Sequence, residues 1–162
     1  ELLIVPVIPT DMQRTQATLQ PAPDLLDEVR AFLDERRLLG TQLVVDGPAY
    51  VGVSVEASVL VRRGVSNDSV RQAVAHRIVQ YLDPLLGGPA GEGWPFGRDL
   101  YLSEMQSVVQ AVEGVEYAQD VTLFQVDLQS GQTRASGQRI SLPDDVLLLP
   151  LEPVVTVVAR ER

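Results

Sequence analysis

The sequence predicts an α+β fold: a split βαβ-like sandwich with helices on one face of a mostly antiparallel sheet and β-rich arms at both ends. Three observations carry this reading. From residue 51 to 62, Val51, Val53, Val55, Ala57, Val59 and Val61 alternate with Gly52, Ser54, Glu56, Ser58, Leu60 and Arg62, the period of a strand with one buried face. Residues 115–128 form a second long β-prone run. Between the two lie apolar stripes at helical spacing, and helices packed on one face of a sheet bury both kinds of surface.

Length and composition are those of a folded domain. With 162 residues, 45% hydrophobic and 22% charged, the chain can bury a real core and does not resemble a disordered segment. No apolar run approaches the ~18–20 residues of a membrane-spanning helix. Residues 1–9 are apolar but short, broken by proline and without a basic leader, so they do not read as a signal peptide. The absence of cysteine excludes disulfides and thiolate chemistry. A formal net charge of −9 disfavours nucleic acid and anionic membranes as partners. All thirteen basic residues are arginine, which reads as genome composition more than as a need for bidentate ion pairs.

Taken in order, residues 1–22 read as an extended arm. Leu2 to Val7 is β-prone, and the polar run from Thr10 to Gln20 leads to Pro21 and Pro23. Such an arm either pairs with a sheet edge or belongs to a neighbouring domain. Asp24 is placed to cap a helix running to about Leu39, with Leu25, Leu26, Val29, Phe32 and Leu33 on its apolar face. Arg36 and Arg37 fall in its expected last turn, where they complement the dipole, and Gly40 follows as a C′ residue. Residues 41–46 and 50–62 read as two strands separated by Gly47-Pro48-Ala49. Ser66 or Asn67 then caps a helix from Asp68 to about Leu82 with Val70, Ala73, Val74, Ile78, Tyr81 and Leu82 as its stripe.

Further on, residues 99–102 are expected as a short strand. Ser103-Glu104-Met105-Gln106 has the spacing of a capping box and opens a helix that buries Met105, Val108, Val109 and Val112 and ends at Gly114. The strand run 115–128 is interrupted near Gln119-Asp120, and residues 129–139 form either a polar hairpin loop or an unstructured excursion. Residues 140–142, 146–149 and 154–158 are short β-prone pieces separated by prolines. The expected division is an arm over 1–22, an α+β domain over 23–128 and a β-rich extension over 129–162.

The most distinctive stretch is 84–101, which holds five of the twelve glycines, three of the eleven prolines and the only tryptophan. Glycine and proline at that density forbid regular helix or sheet, because one frees φ while the other fixes it and removes a donor. A solvated linker has no use for Trp94 and Phe96, whose burial is worth roughly 1.5–3 kcal/mol each. We therefore read an ordered loop between two helices, pinned by both aromatics. Gly87, Gly88, Trp94, Pro95, Phe96, Gly97 and Arg98 are its structural or interface candidates, with Trp94 either packed inside the domain or facing a partner.

No catalytic, cofactor-binding or metal-binding residue is assigned. His76 is the only histidine, and without cysteine or a second histidine it does not make a usual zinc site; it reads as solvated more readily than as a general base. Asp24, Asp27, Glu28, Asp34 and Glu35 crowd the first helix, and Asp144-Asp145 follow Pro143; these read as solvated carboxylates, not as an acid–base pair. The glycines of 87–97 lack the lysine and Ser/Thr of a P-loop and the spacing of a dinucleotide fingerprint, and no serine sits in a G-x-S-x-G elbow.

Several segments carry a resemblance. Leu38-Leu39-Gly40-Thr41 through Pro48-Ala49-Tyr50-Val51-Gly52-Val53, then Tyr81-Leu82-Asp83-Pro84-Leu85-Leu86-Gly87-Gly88, Gly93-Trp94-Pro95-Phe96-Gly97-Arg98 and Gly114-Val115-Glu116-Tyr117 follow in a consistent order. Together they resemble the C-terminal part of baseplate J-like proteins, the baseplate assembly proteins of contractile phage tails and related contractile injection systems. The resemblance covers about residues 23–126, and the G-W-P-F-G-R block after a P-L-x-G-G helix end is its most specific part. It implies a structural subunit of the baseplate wedge, without catalytic residues. The implied partners are other baseplate subunits in repeated copies around a central hub, in a particle assembled in the bacterial cytoplasm. Family members are generally longer, so a chain starting at Glu1 is expected to be a processed or excised C-terminal region.

The alternative from a different class is a ligand- or carbohydrate-binding module that stacks on Trp94, Phe96 and Tyr101. An enzyme using Glu92 or His76 is a third and more distant reading.

Overall fold

The structure, a computed structural model, describes residues 2–9, 12–38 and 40–158. Glu1, Thr10, Asp11, the expected helix end at Leu39 and residues 159–162 lie outside the described residues. The chain divides into two compact units, 1–49 and 50–162. This differs from the division expected from sequence. The expected C-terminal extension supplies strands to the main sheet, and the first long helix packs on the N-terminal arm's short strand pair.

In the first unit, strand β1 (Leu2–Leu3) pairs in parallel with β2 (Val45–Asp46), Leu2 N donating to Val44 O at 2.8 Å and Ile4 N to Asp46 O at 2.9 Å. Helix α1 (Gln16–Leu19) is a single turn closed by a reciprocal Thr15–Thr18 cap and buries Leu19 completely. Helix α2 (Pro23–Asp34) starts earlier than expected, with Ala22 as its N-cap and Pro23 at the first position, while Asp24 lies in the first turn, where its charge favours the dipole. It also stops earlier. Arg36 turns back so that Nη1 donates to Phe32 O at 2.7 Å and its guanidinium lies 3.9 Å over the Phe32 ring. Those contacts satisfy the helix end with a side chain instead of further turns. Of the strand expected over 41–46 only β2 forms, since β1 offers a partner of just two residues.

The second unit is built on β3 (Ala49–Val61). Its inward residues Val53, Val55, Ala57, Val59 and Val61 are buried, as the period of two requires. Helix α3 (Asn67–Tyr81) is capped by Ser66 and lays Val70, Val74 and Ile78 on that face. Strand β4 (Leu100–Tyr101) leads directly into helix α4 (Leu102–Gln110), which adds Met105, Val108 and Val109 to the same core. Strand β5 (Val115–Val126) returns antiparallel beside β3. Pairing slips after Ser58↔Asp120 to Val59↔Ala118, which leaves Gln119 bulged where the interruption is expected. Gln110 holds this irregular stretch, its amide donating to Glu116 O at 3.2 Å and accepting from Ala118 N at 2.9 Å.

Residues 129–139 resolve as a hairpin. Asp127 Oδ1 accepts from Gln129 N and Ser130 N, bonds that hold its carboxyl below the usual aspartate range, and β6 (Thr133–Ser136) pairs antiparallel with β5. Strand β7 (Arg139–Ile140) pairs with β4, while β8 (Val146–Pro150) and β9 (Val154–Val157) line the other edge of β3, β9 running parallel to it. The sheet order is β6-β5-β3-β8 with β9 also on β3. The fold is α+β with a mostly antiparallel sheet. Its two long strands, which a split βαβ unit would separate by another strand, are direct neighbours here.

Candidate functional site

The loop after α3 is held by its own backbone before any side chain acts. Asp83 Oδ1 accepts from Leu85 N at 2.7 Å and Leu86 N at 3.0 Å, turning the chain after the helix. Gly88 N donates to Tyr81 O at 2.7 Å, Gly93 N to Gly87 O at 3.0 Å and Trp94 N to Pro84 O at 3.2 Å. The segment thus folds back across the end of α3 as the sequence expects of an ordered loop. Gly87 is packed so closely that a Cβ there would lie 2.5 Å from Tyr81 O.

Trp94 is the anchor, 3% exposed. Its Nε1 donates to Arg98 O at 3.0 Å, Tyr81 meets it edge-on with ring centroids 5.9 Å apart, and the Arg98 guanidinium sits 4.8 Å over its ring. Arg98 in turn forks onto Glu104, Nη1 to Oε2 at 3.2 Å and Nη2 to Oε1. That bond holds the guanidinium protonated above its ordinary range. Glu104 Oε2 also accepts from Tyr101 N at 3.2 Å, the returning half of a capping box. The expected box at Ser103-Gln106 therefore lies elsewhere: the helix starts at Leu102, because Tyr101 is held extended by pairing with Arg139.

Phe96 does not share the burial of Trp94. It occupies the tip of the Pro95–Arg98 turn, closed by Arg98 N to Pro95 O at 3.3 Å with Gly97 at φ +64° in third place, and is 40% exposed. Tip positions of such turns project outward, so one of the two expected anchors is a surface residue. Asp99 finishes the loop's attachment: Oδ1 accepts from Leu142 N at 3.1 Å, Oδ2 from Ser141 Oγ at 3.3 Å, and Arg139 lies 3.5 Å away. Gly97 N reaches Val146 O at 3.4 Å. One loop therefore joins α3, α4, the β4–β7 ribbon and the segment entering β8.

This network also shifts the titration of its own groups. Burial, then the Glu104 charge and its hydrogen bond, raise the Tyr81 hydroxyl above the ordinary tyrosine range. A group kept neutral in the fold stabilises fully below the unfolded value of roughly 10 and ceases to do so as pH rises through the folded value. Stability above pH ~10 is therefore expected to fall less steeply in Tyr81→Phe than in the parent chain, measured by urea unfolding across an alkaline series. Some slope remains, because burial pushes Tyr50 up to about 12. Glu104→Gln is expected to cost about 1–2 kcal/mol in the same assay, since it leaves Arg98 without its counter-charge over Trp94.

His76 is exposed on α3, and Glu92 is exposed in the loop. Among the described residues no cluster of three or more His, Asp or Glu converges as a metal would require. Two carboxylates of α2 are engaged locally: Asp27 pairs with Arg30 at 2.8 Å, and Asp34 with Arg37. No helix among the described residues is long and apolar enough to cross a membrane. A three-ring stacking platform is not available, because Trp94 is covered while Phe96 and Tyr101 are 40% and 42% exposed. No family model matches the chain, and no curated protein matches it significantly.

Proposed function

We propose that the chain is a structural interaction subunit of the baseplate-wedge kind that its sequence segments resemble, without a catalytic role. In this reading its partners are other baseplate subunits around a central hub in a phage tail or injection particle, assembled in the bacterial cytoplasm, with no nucleic acid and no inserted membrane segment. The observation that carries the proposal is how the G-W-P-F-G-R block is used. Trp94 and Arg98 are engaged in internal packing, while Phe96 and Leu86 stand 40% and 53% exposed on the same loop. A rigid loop presenting apolar side chains is suited to packing against a neighbour.

The test is a loop-surface variant. Phe96→Ser is expected to change unfolding stability by less than about 0.5 kcal/mol, because the ring is at the surface. The same variant is expected to reduce incorporation of the chain into assembled particles, read by quantifying it in purified particles. Full incorporation of a folded Phe96→Ser, Leu86→Ser double variant would remove the loop as a contact.

A further inference from the structure

We infer that α2 carries a docking groove for an amphipathic helix of a different protein chain, one whose flank is basic. The inference stands apart from the baseplate reading, since it rests on the first unit alone. Leu25, Val29, Phe32 and Leu33 form a stripe at helical spacing, yet no residue of α2 is buried; Leu25 is 37% and Phe32 57% exposed. With Leu2 and Glu28 these side chains line a groove of about 440 Å³. A helix of twelve residues is marginal without packing, and among the described residues of this unit only Leu19, Pro21, Val45 and Pro48 are buried. An amphipathic face in that position is completed by a partner that supplies anchors one turn apart.

Charge selects the partner. The arginines of this segment are occupied within it: Arg30 bonds Asp27 and Val45 O, Arg36 bonds Glu35 and Phe32 O, and Arg37 bonds Asp34 and Thr41 O. Glu28, which lines the groove, and Asp24, one helical turn before it, have no ion pair among the described residues. A second copy would bring the same carboxylates and another net charge of −9 against them. A helix with lysine or arginine beside its apolar seam meets them favourably.

The probe is a fluorescein-labelled synthetic helix with a leucine seam flanked by lysines, compared with the same peptide carrying glutamates for lysines. Anisotropy with the full chain is expected to show saturable binding of the basic peptide that weakens with salt, and at least about tenfold weaker binding of the acidic one. Phe32→Ser is expected to cost the basic peptide about tenfold, and Glu28→Arg to shift preference toward the acidic peptide. Phe32 is 57% exposed but its ring lies under the Arg36 guanidinium, so the folding of that variant is checked by far-ultraviolet circular dichroism. Equal affinity for both peptides, indifference to both substitutions, or no saturable binding would overturn the inference. So would a dimer in sedimentation velocity that Phe32→Ser abolishes, because the occupant would then be a second copy.

Discussion

Replacing Trp94 by alanine is expected to lower the stability of the folded chain by about 3–5 kcal/mol, the range for removing a large buried aromatic. The side chain is 3% exposed and serves three functions at once. It fills the space against the Tyr81 ring, it donates to Arg98 O at 3.0 Å, and it provides the surface on which the Arg98 guanidinium lies. Alanine leaves a cavity, an orphaned carbonyl and an arginine whose stack is gone. Because the variant lacks the only tryptophan, unfolding is followed by far-ultraviolet circular dichroism in urea instead of fluorescence. An unchanged midpoint combined with lost particle assembly would mean that Trp94 faces a partner and that the packing described above is wrong.

Gly88→Ala is expected to cost about 2–4 kcal/mol, nearly as much as losing the tryptophan, although it adds one methyl group. Gly88 has φ +76°, a conformation that costs an L side chain roughly 1–2 kcal/mol. A Cβ there would also lie 2.5 Å from Gly93 O, a backbone atom that cannot swing away. Gly91 separates the two contributions. Its φ of +73° is nearly the same, but nothing lies within 4 Å of its Cβ position. Gly91→Ala therefore carries the backbone cost alone, and the difference between the two variants reads the close approach of 88 to 93. Equal effects would mean that the loop opens locally to admit the methyl group.

What the sequence makes legible follows from the range of the forces involved. The β3 alternation, the α3 and α4 stripes, the interruption at Gln119 and the burial of Trp94 depend on local period and on the cost of exposing large apolar groups, so the sequence carries them. Phe96 was not separable from Trp94 on those grounds. Its exposure comes from a turn closed by Arg98, visible only once the loop has a geometry. The same holds at the start of α4, where pairing of Tyr101 with Arg139, far along the chain, decides which residue begins the helix. The place of β8 and β9 in the main sheet is likewise a long-range outcome, and their spacing gave no sign of it. The Tyr81–Trp94–Arg98–Glu104 network had a partial signal in Trp94 and Arg98. Glu104 has the local spacing of a capping residue only, and its second role depends on the loop bringing Arg98 beside it.

The exposed α2 stripe has the opposite lesson. Its spacing reads as the buried face of a helix, and the described fold leaves it open. A strong amphipathic pattern states that a face is to be covered, without stating by which chain.

The central claim, a structural subunit held in a larger assembly by surfaces around a rigid loop, is tested most directly by cryo-electron microscopy of contractile particles purified from the native source. The account expects density for this chain in repeated copies around a central hub at the particle base, with the Phe96 side of the loop against a neighbouring subunit. Intact, fully resolved contractile particles that lack the chain would contradict it.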